Sequence, residues 1–229
     1  MTARSLTLAR AFLLTALVLL ASNVHAAASL RYSWDDCDPL VLDREFTVPG
    51  HYVQTLSVTG LTQPLTSFLV NIVVAVSQPE AWQFYDFGCQ GSSRFAVTTA
   101  APGCASLPGL SLTTYMFPGV TDFRVNIQIS GTAPAGPAPD PAARYVLARL
   151  DFDHSATVTG PIAPPGYCGA GDFLQCFGVS YVYLNGDLLA SSALENGTIT
   201  WNLPSTPGIC PFPVPTKATT WGRLKAIYR

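Results

Sequence analysis

Carboxylates are the side chains of this sequence with the most chemistry to offer. Asp151 and Asp153 alternate with apolar residues, so both project from one face of an extended segment, while Asp35, Asp36 and Asp38 crowd a turn around Cys37. Oxygen ligands gathered in this way suit calcium, and Asp151 with Asp153 form the candidate metal site, although neither group has the spacing of an EF-hand loop. No residue here requires a cofactor; calcium is the ion that these could take. Paired carboxylates also hydrolyse glycosidic bonds. Glu80 with either acidic group therefore gives an alternative function, an extracellular carbohydrate-active hydrolase. Other catalytic sets are missing. Apart from His25 near the N-terminus the histidines are His51 and His154, and no G-x-S-x-G nucleophile elbow occurs. The expected protein is not an enzyme.

Aromatic rings are the second resource. In Trp82-Gln83-Phe84-Tyr85-Asp86-Phe87, read as a strand, Trp82 and Phe84 share one face and Tyr85 and Phe87 the other, and Tyr181 and Tyr183 share a face further on. Exposed, such rings would form a contact surface for a glycan or a surface protein; buried, they would fill a core. Trp82, Tyr85, Tyr181 and Tyr183 are the ligand-binding candidates.

The cysteines bear on redox chemistry. Cys37, Cys89, Cys104, Cys168, Cys176 and Cys210 make an even set with no C-x-x-C pair, which points to three disulfides in an oxidising compartment and away from a structural zinc site. Short loops bounded by glycine or proline favour Cys89–Cys104 and Cys168–Cys176, and Cys37–Cys210 follows by elimination.

The scaffold around these residues reads as all-β. Arg4 and Arg10 precede the apolar run Ala11–Ala21, and Val24-His25-Ala26 provides small residues before a cleavage point, so residues 1–26 are expected to be a signal peptide. Eleven apolar residues fall short of the roughly 18–20 that span a bilayer, and no later segment is long and apolar enough either. The localisation expected is therefore secreted or cell-surface. Twelve basic against 14 acidic residues leave no cationic face for nucleic acid.

Period-two patterning runs from Leu30 to Asn202. It is clearest where Phe123, Val125, Ile127 and Ile129 alternate with polar partners, and where Val146, Ala148, Leu150 and Phe152 alternate with the set that holds Asp151. Ser67–Val76 is apolar almost throughout and should be a central strand. Asn185-Gly186 signals a type I′ hairpin, with Asn196-Gly197 as a second instance. About ten strands over residues 27–203 predict one antiparallel β-sandwich, an immunoglobulin-like jelly roll. Residues 204–219 form a proline-rich linker. Residues 220–229, where Trp221, Leu224, Ile227 and Tyr228 fall at helical spacing, make a short C-terminal helical tail that would act as an address or docking element.

Trp34-Asp35-Asp36-Cys37, the block Pro79–Phe84 followed by Gly88-Cys89, the run Tyr145–Phe152 and the closing Trp-Gly-Arg-Leu-Lys-Ala-Ile-Tyr-Arg together resemble uncharacterised secreted bacterial β-sandwich proteins with a short Trp-Gly…Tyr-Arg tail. The strand Leu147-Ala148-x-Leu150-x-Phe152 also looks like one of the cohesin-like sandwiches. The first resemblance brings no catalytic residues. The second implies a protein- or carbohydrate-binding module. Both fit a non-catalytic binding or structural module, with a glycan or a surface protein as partner.

Overall fold

The computed structural model describes residues 28–76, 80–118, 124–160, 162–169, 171, 174–205 and 207–209. The expected signal peptide 1–26, the expected tail element 220–229 and most of the proline-rich stretch between 204 and 219 lie outside these residues.

Among the described residues thirteen strands are formed: β1 (Ser29–Trp34), β2 (Asp43–Arg44), β3 (His51–Thr59), β4 (Ser67–Val76), β5 (Phe95–Thr98), β6 (Ala105–Ser106), β7 (Ser111–Pro118), β8 (Arg124–Thr132), β9 (Tyr145–Asp153), β10 (Gln175–Leu184), β11 (Asp187–Leu188), β12 (Leu194–Asn196) and β13 (Thr198–Trp201). They make two sheets. Sheet A has the order β12-β1-β3-β9-β5, with β6 also on β9, and sheet B the order β2-β13-β10-β4-β8-β7, with β11 also on β10. The protein is a β-sandwich, mostly antiparallel; the parallel contacts are β1 with β12, β2 with β13 and β6 with β9.

Each sheet keeps its period-two logic. Leu30, Tyr32 and Trp34 of β1, Leu56 and Val58 of β3, and Ala148, Leu150 and Phe152 of β9 are buried from sheet A, and Val70, Ile72 and Val74 meet Val125, Ile127 and Ile129 from sheet B. Twelve of the largest side chains are under 2% exposed. Interdigitation of this kind is what makes a sandwich core. Gly131 is required by it: a Cβ there would stand 2.1 Å from Cε1 of the Phe68 ring.

Several expectations need correction. Ala81–Phe87 is not a strand. Glu80–Trp82 is a 3₁₀ turn followed by further turns, and Trp82 and Phe84 are 1% exposed. They plug one end of the sandwich, where the Trp82 ring lies 4.5 Å from Phe177, 5.0 Å from Trp201 and 5.0 Å from Phe152. Burying such rings outweighs pairing one more edge strand. Asn185-Gly186 has the two positive φ values, 51° and 88°, of the expected turn, whereas Asn196 is not left-handed. Asn196 instead donates from Nδ2 to the carbonyls of Tyr32 (2.7 Å) and Thr198 (2.9 Å).

The disulfides are also rearranged. Cys37 bonds Cys104 and Cys89 bonds Cys168, in place of the expected Cys89–Cys104, Cys168–Cys176 and Cys37–Cys210. Cys176 is disulfide-bonded too, and Cys210 lies outside the described residues. The reason is strand length. β5 places Phe95 beside Phe152, and β6 places Ala105 beside Tyr145, so the chain between Cys89 and Cys104 runs most of the length of β9. Seven residues of β9 correspond to about 23 Å, far beyond the span of a disulfide.

Candidate functional site

A sandwich has two outer faces, and here the chain itself covers the β1–β3 part of one of them. On sheet A the outward residues Ser33, Thr55 and Ser57 are polar yet no more than 1% exposed. Segment 35–41 folds back over them: Thr55 Oγ1 donates to the Asp35 carbonyl at 2.5 Å, and the Val41 amide donates to Ser33 Oγ at 2.9 Å. The Cys37–Cys104 bond ties that segment to the loop before β6, and the Cys37 amide donates to the Pro102 carbonyl. Beside this cover Glu195 accepts hydrogen bonds from Arg31 and from Arg144 Nη2 (2.8 Å). The Arg31 contact is the main reason the Glu195 carboxyl is held below its ordinary range.

Sheet B stays open. Its outward residues align in rows across β10, β4, β8 and β7: Tyr183, Leu69, Ser130 and Thr113; then Tyr181, Asn71, Gln128 and Tyr115; then Gly178, Val73, Asn126 and Phe117. Four strands at about 4.8 Å make a surface roughly 14 Å wide between its outermost strand axes. Tyr115 is 61% and Phe117 41% exposed, Tyr181 and Tyr183 are half-buried, and no charged side chain stands in the three rows.

The tyrosines reach this face through a bulge. Phe177 and Val179 point inward, and strict alternation would send Tyr181 and Tyr183 after them. The register with β4 shifts between Val179, opposite Ile72, and Tyr181, opposite Asn71, so Val182 and Leu184 take the inward positions. One inserted residue turns every later side chain over. Ser180 sits at that point: Asn71 Nδ2 donates to Ser180 Oγ at 2.7 Å, and Ser180 Oγ donates to the Asn71 carbonyl at 3.2 Å. The two phenol rings meet edge to face, 5.8 Å apart at 66°. Burial, then the neighbouring Tyr183, raises the Tyr181 phenol above its ordinary value.

The remaining candidates fall elsewhere. Trp82 is withdrawn from any surface role, because it is buried in the plug. Tyr85 is partly buried beside that plug, on the far side of a turn from Phe87, which is 99% exposed. Asp151 and Asp153 do project together from β9, but each has partners. Asp151 Oδ1 lies 2.9 Å from His51 Nδ1, raising the His51 pKa, and Asp153 Oδ1 accepts from the Ser155 amide at 2.8 Å while Oδ2 stands 3.7 Å from Arg94 Nη1. Among the described residues no group of three or more His, Cys, Asp or Glu side chains gathers as a metal site. Asp35 pairs with Arg44 and Asp38 with Arg31, so two of the three carboxylates of the turn at Cys37 are held in ion pairs. A cleft of about 820 Å³ beside it is lined by Asp35, Asp43, Arg44, His51 and Tyr52 among others.

No protein family matches the chain, and no curated protein matches it. Solved structures similar to it are cohesin modules. The cohesin module from a Clostridium perfringens family 33 glycoside hydrolase covers 76% of this chain and 98% of its own, with 11% identity and a TM-score of 0.37. A type II cohesin domain from the cellulosome of Acetivibrio cellulolyticus covers 77% and 95%, with 8% identity and a TM-score of 0.35. A non-cellulosomal cohesin from the archaeon Archaeoglobus fulgidus covers 76% and 88%, with 6% identity and a TM-score of 0.31. The sandwich assignment stands on the sheet order and register given above. Among the described residues no helix is long and apolar enough to cross a membrane.

Proposed function

We propose that this chain is a non-catalytic, protein-binding β-sandwich module that works outside the cytoplasm and recognises its partner with the outer face of β10, β4, β8 and β7. The observation that carries this reading is the difference between the two faces: over β1 and β3 sheet A is covered by the protein's own disulfide-tied segment, whereas the β8–β7 side of sheet B, with Tyr181 and Tyr183 on β10 at its other margin, presents exposed, uncharged side chains. Tyrosine is among the residues that dominate protein interfaces, since it joins a large apolar ring to a polar tip at low entropic cost. Asn126 and Gln128 add amide donors and acceptors beside the rings, which suits a folded polypeptide. The edge-to-face setting of Tyr181 and Tyr183 fits a glycan less well, because stacking on sugar rings calls for aligned ring faces. A hydrolase is not favoured either, since His51, Arg94, Arg31 and Arg44 occupy four of the carboxylates it would use. Export through the leader 1–26, a domain over 27–203, a linker over 204–219 and a docking tail over 220–229 complete the proposal.

The test compares immobilised wild-type protein with the Tyr181→Ala/Tyr183→Ala double variant against the extracellular proteins of the producing organism and against soluble polysaccharides. The expected outcome is one protein species retained by the wild type and bound at least about tenfold more weakly by the variant, as for loss of interface hot spots. Circular dichroism of the variant should be unchanged. Equal retention by both proteins, or retention of polysaccharide alone, would overturn the reading.

A further inference from the structure

The edge of sheet B formed by β7 differs from every other edge of the sandwich. β7 has eight residues, Ser-Leu-Thr-Thr-Tyr-Met-Phe-Pro, and among the described residues β8 is the only strand hydrogen-bonded to it. The opposite edge of sheet B is the two-residue β2, and the edges of sheet A are the three-residue β12 and the four-residue β5. Natural sheets guard a long edge with a charge, an internal proline or a bulge. β7 has none of these. Its only proline is the last residue, no Asp, Glu, Lys or Arg occurs in it, and its register with β8 runs without a shift from Ser111 to Pro118.

We infer that β7 is a self-association edge, pairing antiparallel with β7 of a second copy of this chain about a two-fold axis through Tyr115. The choice of a second copy rests on the strand's self-complementarity. Residues that face each other in an antiparallel pair lie on the same side of the sheet. Centring the axis on Tyr115 sets Tyr115 against its own counterpart and Thr113 against Phe117, all three on the exposed side, with Thr114 against Met116 on the inner side. This brings the two most exposed aromatic rings of the sheet, Tyr115 and Phe117, beside the strand of the second copy and leaves the outer face free. It gives Thr114 Oγ1, buried and without a hydrogen-bond partner, a new neighbouring strand. No like charges meet, so nothing in the strand opposes the pairing, and a two-fold axis makes the assembly close at two copies. The inference concerns the edge and is independent of the partner bound by the face.

Sedimentation velocity of the full mature chain over a concentration series tests it, together with Thr113→Lys and Tyr115→Cys. The expected results are a monomer–dimer equilibrium for the wild type and an association about tenfold weaker for Thr113→Lys, which sets a lysine against Phe117 twice per dimer. The Tyr115→Cys variant should form a covalent dimer under mild oxidation, with peptide mapping placing the new bond between the two copies of position 115. Both substitutions are at exposed positions, and circular dichroism checks that the fold is kept. A wild type monomeric at every concentration, a dimer indifferent to Thr113→Lys, growth beyond two copies, or no cross-link at 115 would each overturn it.

Discussion

Lowering the pH from 6.5 to 4.5 is expected to remove about 2 kcal/mol of folding stability, the slope rising toward about 1.4 kcal/mol per pH unit as one buried histidine dictates. His154 follows β9 directly and is fully buried between the rings of Trp82 (4.5 Å), Phe84 (5.0 Å), Trp201 (5.3 Å) and Tyr52 (5.6 Å). Its Nδ1 lies 2.9 Å from Thr157 Oγ1, which also accepts from Gln90 Nε2 at 2.5 Å. The buried Nε2 has no hydrogen-bond partner, so the ring engages its surroundings through Nδ1 alone. A second proton has no acceptor. Desolvation therefore pushes the His154 pKa down to about 3, against a small opposing pull from Asp153.

The sign follows from which state takes up the proton. Above pH 6.5 both folded and unfolded chains keep the ring neutral; below it the unfolded chain binds a proton that the folded one refuses, so stability is lost progressively until about pH 3. Other groups act outside the window. The raised pKa of His51 gives a contribution that is complete below 6.5 and lost as pH rises above it, while the lowered pKa of Glu195 matters only below 4.5. Urea unfolding midpoints at several pH values measure this. A His154→Phe variant should give a nearly flat profile from pH 6.5 to 4.5. A flat wild-type profile, or an unchanged slope in the variant, would contradict the assignment.

The second large effect concerns the cover of sheet A. Replacing Cys37 and Cys104 together by alanine should cost about 2–4 kcal/mol, since the bond closes a loop with a separation of 67 residues. It should also increase amide exchange in β3, where Thr55 and Ser57 lose the segment that shields them. Replacing Cys89 and Cys168 should cost a similar amount, yet leave β3 protection unchanged. That bond instead tethers the loop after the Trp82 plug to the chain near the Thr157–Cys168 bridge. Equal exchange in both variants would mean that the face is closed by something other than the Cys37–Cys104 segment.

Where sequence reading succeeded and failed follows from the range of the forces involved. β8 and β9 were legible because one face of each meets the core and the other does not, which alternation records directly. The central place of β4 was legible from its apolar run. The outward turn of Tyr181 and Tyr183 was not, because the bulge at Ser180 depends on Asn71, 109 residues away in sequence. Nor could local spacing reveal that Cys89 and Cys104 end at different points along β9. The density of rings around Trp82 has the composition of a strand, but tertiary burial decided its conformation. That left Tyr181 and Tyr183 as the candidates that the fold places on an open sheet face.

The central claim is that sheet B, and not sheet A, meets the partner. The most direct measurement places a photo-cross-linking residue singly at Gln128 or Tyr183 on sheet B, and at Ala96 or Thr98 on the outward side of β5 in sheet A. Each variant is then irradiated with the extracellular proteins of the producing organism. A discrete covalent adduct to the same protein from Gln128 and Tyr183, with none from Ala96 and Thr98, is the predicted result. Adducts from the β5 positions alone, or from none of the four, would contradict it.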